Sequence, residues 1–203
     1  MPTPREVEDR AVSAALALAR RRAWTDVTLA DVAEQAELPV AAVYRVLPSK
    51  SAVVDAFLRR VDDELAKPTD ELAADYDEKD QLFDALMSCL EALEVEREAV
   101  RSIYDALRCD PLSLLVLGPA LLRSMNAVLD RAGAPGFALG RLLRARLLGV
   151  VWIRLLPVWL EDDPHDLART MAFLDREIRR YEMLTSLCVR RPERAASSSE
   201  SKA

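Results

Sequence analysis

Apolar residues recur along this 203-residue chain at the spacing of helices, three and four apart, and not at the alternation of strands. Val7, Ala11, Ala14, Ala15 and Leu18 share one face of a helix predicted over residues 5–22, which ends in Arg20-Arg21-Arg22. Thr28, with Asp31 three residues later, marks the start of a second, short helix. The hydroxyl there can accept an orphan amide, and the acid favours the positive helix end. Leu38-Pro39 stops that helix near residue 36, and proline then fits the first turn of another over residues 40–47. Pro48-Ser49 ends this one in turn, and Ser49 caps a longer helix with a buried stripe at 53, 54, 57, 58, 61 and 65. Two short helices joined by a tight turn and followed by a longer one form a helix-turn-helix pattern.

Beyond Lys67-Pro68-Thr69-Asp70 the chain is acidic over residues 70–80, which reads as a linker or a frayed connection. Leu82, Phe83, Leu86, Met87, Leu90 and Leu93 then mark one amphipathic helix, and Val100, Ile103, Tyr104 and Leu107 a shorter one. Asp110-Pro111 opens an apolar run that Gly118-Pro119 interrupts. At twelve residues, 111–122, the run is too short to cross a bilayer and predicts a buried helix. Residues 132–136 form the clearest loop. The segment 137–160 is apolar nearly all round, so protein or a partner must cover most of it. Its Arg141, Arg144, Arg146 and Arg154 argue against a membrane span. Trp152 and Trp159 lie on one face of it, and Pro157 predicts a kink beside them. Asp163-Pro164 is expected to cap a last helix carrying Leu167, Met171, Leu174, Ile178, Tyr181 and Leu184 on one stripe, and a Ser-rich disordered tail is expected over 189–203.

The order Thr28, Ala33, Ala36, Tyr44, Ser49, Lys50 resembles the amino-terminal motif of TetR-family transcriptional regulators, T-x-x-x-I-A-x-x-A-G-V-S-x-x-x-[LF]-Y-x-x-F-x-S-K. Where that pattern has its turn glycine this chain has Glu37, so either the turn tolerates a side chain or it carries a modest cost of left-handed backbone there. Pro39 and Leu47 replace the usual Ser and Phe, and Val40, Ala41 and Ala42 stand where polar base-reading groups are common. The resemblance implies phosphate contacts from Thr28, Tyr44 and Lys50. The last third, with Val158–Asp163 and Thr170–Ile178, is similar to a TetR-type subgroup and to ubiquinone-biosynthesis lipid-binding accessory proteins on the same fold, which have lost DNA binding.

Composition narrows the classes further. With 51% hydrophobic residues and only 5 glycines the chain suits an all-helical protein. Cys89, Cys109 and Cys188 are too far apart for a zinc motif or a disulfide framework, which fits a reducing cytoplasm. No export signal is visible at the amino terminus. The net charge of −6 is uneven. Residues 1–60 carry 9 Lys+Arg against 8 Asp+Glu, residues 61–105 carry 4 against 15, and the remainder 15 against 11. A few cations on the right face still suffice for a helix-turn-helix to bind DNA. Arg20-Arg21-Arg22 either complements a helix dipole or meets phosphate, and Trp24 is expected to plug the junction behind it. His165 is the only histidine and sits in a capping sequence, and no phosphate-cradling glycine loop or HExxH occurs. An enzyme, a catalytic site, a cofactor and a metal are therefore not expected.

The resulting expectation is an all-α, TetR-like chain: a helix-turn-helix DNA-binding domain over 5–60, a helical ligand-binding and dimerisation domain over 61–188, and the tail. Thr28, Pro39, Val40, Ala42, Tyr44, Arg45 and Lys50 are the candidate DNA contacts. Leu86, Leu90, Leu107, Leu121, Met125, Trp152, Leu156 and Trp159 are the candidate walls of an effector pocket, with Arg123 or Arg154 to meet an acidic group. The expected partners are a double-stranded DNA operator, a second copy of the chain through its last two long helices, and a small hydrophobic or amphipathic effector. The competing expectation is a lipid-binding module holding an isoprenoid or acyl chain, in which the amino-terminal helices are vestigial.

Overall fold

Thr3, Thr28, Ser49 and Asp110 each cap a helix, and these caps set the element boundaries. In the computed structural model, which describes residues 2–67, 77–134 and 138–188, every regular element among the described residues is helical. Helix α1 (Pro4–Ala19) and α2 (Leu29–Gln35) open on capping boxes, in which Thr3 pairs with Glu6 and Thr28 with Asp31. A single 3-10 turn, Trp24–Asp26, lies between them. Helix α3 (Val40–Val46) follows Pro39, and α4 (Lys50–Leu65) starts where the Ser49 hydroxyl accepts the Ala52 amide. Then come α5 (Glu78–Glu94), α6 (Arg97–Leu107), α7 (Pro111–Arg131), α8 (Ala138–Glu161) and α9 (Ala168–Cys188).

Helix α1 packs on α2, α3, α4 and α6, whereas α4 continues from this unit to pack along α5 and α7. Helix α7 packs on α8, α8 on α9, and α9 returns to α5. One continuous apolar core runs through all of them, from Val7 and Ala11 through Phe57, Leu86 and Leu148 to Tyr181. Residue 61, the expected start of the larger domain, falls inside α4, so this helix belongs to both units.

Three expectations are corrected. Helix α1 ends at Ala19, so only Arg20 reaches its carboxyl cap. The run from Pro111 is not a short buried helix. Helix α7 continues through Gly118-Pro119 for 21 residues, long and apolar enough by length and composition to cross a membrane, and its first half exposes Leu112, Leu115 and Val116. Pro119 cannot donate to Leu115, but Leu115 is 74% exposed, so water can take up that carbonyl. The same holds for Pro157 in α8, whose unmet acceptor is the 47% exposed Ile153. The second half of α7 buries Met125, Val128 and Leu129 in the core. Helix α9, finally, begins at Ala168 and not at Pro164. Asp163 only accepts the His165 amide in a turn, and the buried Asp162 accepts both the amide and the hydroxyl of Thr170 at 2.7 Å each. Residues 68–76, which hold most of the expected acidic connection, residues 135 and 136 of the expected loop, Phe137 at the expected start of the next helix, and the expected tail lie outside the described residues.

Candidate nucleic-acid interface and ligand cavity

The turn between α2 and α3 is built around Glu37, which takes up left-handed backbone at φ 51°. Leu38 donates its amide back to Ala33 at 2.9 Å, and Arg10 of α1 reaches across to donate to the Ala36 carbonyl at 2.6 Å. A side chain on α1 thus satisfies the carboxyl end of α2 at the point where a glycine would have relaxed the turn. Below this turn, α3 buries Val43 and directs Pro39, Val40, Ala41, Tyr44 and Arg45 to solvent, with Ala42 half-buried. Among the described residues Arg45 has no hydrogen-bond or ion-pair partner, so its guanidinium is available. Thr28 is exposed at the start of α2, its hydroxyl accepting the Asp31 amide at 3.2 Å, and Asp31 pairs with Arg22 at 2.6 Å.

Lys50 is turned inward. Its ammonium lies 5.0 Å from the Trp24 ring centroid, donates to the Trp24 carbonyl and reaches the Thr25 carbonyl at 3.2 Å. Partial burial lowers its pKa from the ordinary lysine value, and the nearby Asp26 charge offsets only part of this. Trp24 is buried, and its amide donates to the Ser102 hydroxyl of α6 at 2.8 Å. Arg20 donates to the Val95 carbonyl and pairs with Glu96 at 2.7 Å. Two of the three consecutive arginines are therefore committed to contacts within the protein, and Arg20 ties α1 to the residues just before α6.

An apolar cavity of ≈ 220 Å³ lies between α4, α6, α7 and α8. Of the expected wall residues, Leu107, Leu121, Trp152 and Leu156 line it. Leu86, Leu90, Met125 and Trp159 do not; they are fully buried in solid core, where Arg97 stacks 4.9 Å from the Trp159 ring. Arg123 and Arg154 are also absent from the wall. Arg123 pairs with Asp55 at 2.8 Å and Asp62 at 3.2 Å, and Arg154 with the buried Glu177 at 2.8 Å. The wall instead includes Val54, Phe57 and Leu58 of α4, Tyr104 of α6 and Gly118 of α7. Gly118 was the sequence signal for it. A glycine inside a long helix asks for a reason, and a Cβ placed there meets nothing within 4 Å.

No family model and no curated protein matches the sequence. Solved structures do. A TetR transcriptional regulator from Rhodococcus sp. RHA1 superimposes with a TM-score of 0.67 at 18% identity, over 88% of this chain and 96% of that one. The TetR transcriptional regulator from Nitrosomonas europaea ATCC 19718 gives 0.66 at 20% identity, over 87% and 98%. The fold is that of the TetR regulators. A TetR-family transcriptional regulator from Streptomyces coelicolor matches more loosely, at a TM-score of 0.52 and 16% identity, over 93% of this chain and 85% of that one.

On this TetR fold the last two helices leave apolar residues uncovered. Leu139, Leu142, Val150 and Ile153 of α8 are exposed, as are Met171, Met183 and Leu184 of α9. The expected stripe of α9 is thus divided, with Leu174, Ile178 and Tyr181 buried and Met171 and Leu184 facing outward.

Proposed function

We propose that the chain is a DNA-binding transcriptional regulator that acts as a homodimer and responds to a small apolar effector. The observation that carries the reading is the exposed face of α3. A seven-residue helix held from behind by Val43, the Arg10-braced turn and the capped start of α2 presents Tyr44 and an unpaired Arg45 to solvent. Such a helix fits the major groove, with Arg45 suited to the O6 and N7 acceptors of guanine and Val40 and Ala41 suited to thymine methyl groups. In this reading Thr28 and Tyr44 position the helix on phosphates, joined by Lys50 through whatever N–H its carbonyl contacts leave over, and Pro39, which has no donor, contributes only apolar contact.

The exposed apolar faces of α8 and α9 suit a four-helix bundle with a second copy, which would set two α3 helices on one duplex. The cavity suits an effector that acts on this geometry. Its α4 wall belongs to the helix that follows α3, and Arg123 ties the cavity helix α7 to the same α4 through Asp55. An effector shifts the spacing only by binding the two arrangements unequally.

The apolar character of Val40 and Ala41 favours the alternative of a lipid-binding module without DNA affinity. Against it stands the cavity, whose ≈ 220 Å³ is small for an isoprenoid or acyl chain. A gel-shift with DNA from upstream of the gene's own start separates the two. Retardation that survives excess random duplex supports the regulator, and no retardation at micromolar protein sinks it.

A further inference from the structure

We infer that the cavity between α4, α6, α7 and α8 takes an uncharged molecule the size of one substituted ring, bearing at most one hydroxyl or carbonyl group, which Tyr104 recognises. This deepens the effector part of the reading above. It is measured without DNA, so failure of ligand binding and failure of DNA binding are separate results.

Size comes first. A dry cavity of about 150 Å³ accommodates benzene, so ≈ 220 Å³ holds a ring with a short substituent, and a long chain would have to run out of it past the exposed Leu114 and Ile153. Charge comes second. No Lys, Arg, His, Asp or Glu lines the wall, and Tyr104 and Trp152 are its side chains with hydrogen-bonding groups, of which the Trp152 indole can only donate. A carboxylate entering this space would give up its hydration without gaining a cation, a loss that the two neutral donors of the wall offset only in part. The arginines expected to meet it are held elsewhere, Arg123 by Asp55 and Asp62 and Arg154 by Glu177. Specificity comes third. Among the described residues the Tyr104 hydroxyl makes no hydrogen bond within the protein, so it can donate to or accept from a ligand oxygen without breaking an existing contact. Its phenol is half-buried, which makes such a bond worth more than one at the surface.

Gly118 supplies a way to close the site without cutting into the core. A side chain at this position would extend into empty space in the wall, and glycine inside a helix is itself unfavourable. Gly118→Leu should therefore fill the cavity, at some cost in melting temperature because the Pro119 ring crowds a Cβ on the residue before it in a helix.

The test is calorimetric titration of the full chain, with melting temperature as a second readout, against 4-propylphenol, propylbenzene, 4-propylbenzoate and palmitate at neutral pH. Saturable binding of 4-propylphenol, weaker binding of propylbenzene, and little or no binding of the two carboxylates is the expected order. Gly118→Leu should abolish binding of the phenol while far-ultraviolet circular dichroism still reports a folded chain, and Gly118→Ala, with the smaller side chain, should weaken it. Tyr104→Phe should weaken the phenol several-fold and leave propylbenzene unchanged. The inference is overturned if 4-propylbenzoate or palmitate binds as tightly as the phenol, if none of the four saturates, or if the Gly118 variants bind like the parent chain.

Discussion

Lys50 at the start of α4 holds its ammonium over the Trp24 ring, 5.0 Å from the centroid, and so fastens the helix after α3 to the turn before α2. The residue has two possible duties, and they respond differently to mutation. Lys50→Met keeps the aliphatic stem and removes the charge, so it should lower stability by about 1–2 kcal/mol through loss of the ring contact and the carbonyl bonds. If the ammonium also meets phosphate, the dependence of DNA affinity on salt should flatten by a slope of about 0.9. Urea unfolding and a salt series of anisotropy titrations separate the duties. A stability loss with an unchanged salt slope assigns Lys50 to structure alone.

The turn around Glu37 holds a conformational cost that the sequence need not carry. Glu37→Gly should stabilise the chain by about 0.5–1 kcal/mol, because glycine occupies φ 51° without the penalty of a Cβ and gives back only part of the gain as backbone entropy. Arg10→Ala should have the opposite effect, by about 1–2 kcal/mol, since the Ala36 carbonyl loses its donor. Denaturant midpoints of the two variants and their combination measure both effects. Equal midpoints for the parent and Glu37→Gly would remove the strain argument.

Arg45 is the one cation on the exposed face of α3. Arg45→Ala is expected to cost about 1–3 kcal/mol of discrimination between a preferred site and a single-base variant of it, and Arg45→Lys should not restore a bidentate contact. Competition titrations at fixed salt check this. Loss of affinity for every duplex alike would move Arg45 from base reading to phosphate contact.

Asp162 makes the start of α9 sensitive to acid. Burial raises its carboxyl pKa, but the hydroxyl and amide of Thr170, with the Asp163 amide, outweigh it and leave the net value below that of an ordinary aspartate. In the window between the lowered folded value and the unfolded value of about 3.9, the unfolded chain binds more protons. The contribution is therefore complete above that window and is lost as pH falls through it. Asp162→Asn should lower the urea midpoint at pH 7 and flatten its decline below about pH 4. A variant with the parent's acid profile would contradict the assignment.

The helix-turn-helix was legible because its signals are local: Thr28 with Asp31, Pro39 at a first turn, and Ser49 before Lys50 each fix a boundary within four residues. At Glu37 the sequence leaves two alternatives, a turn that accepts a side chain or left-handed backbone, and the structure has the second; the Arg10 brace, 26 residues away, is not legible locally. Helix α7 was misjudged because the effect of Pro119 depends on whether Leu115 faces water, which only the packed structure decides. The cavity was half legible. Apolar stripes identify inward residues but do not separate those that fill space, such as Leu86 and Trp159, from those that border a gap, such as Leu121 and Trp152. Its α4 wall was missed because Val54, Phe57 and Leu58 had been assigned to the DNA-binding unit, and one helix serves both.

The most direct test of the regulator reading is selection of duplexes from a random pool with the full chain at physiological salt. A homodimer that reads DNA through α3 imposes its two-fold symmetry on the site, so the enriched sequence should be an inverted repeat with half-site centres one helical turn or a multiple of it apart. Each half-site should contain a guanine whose enrichment disappears with Arg45→Ala. A pool that remains random after selection, or an enriched motif without two-fold symmetry that Arg45→Ala leaves unchanged, would contradict the account.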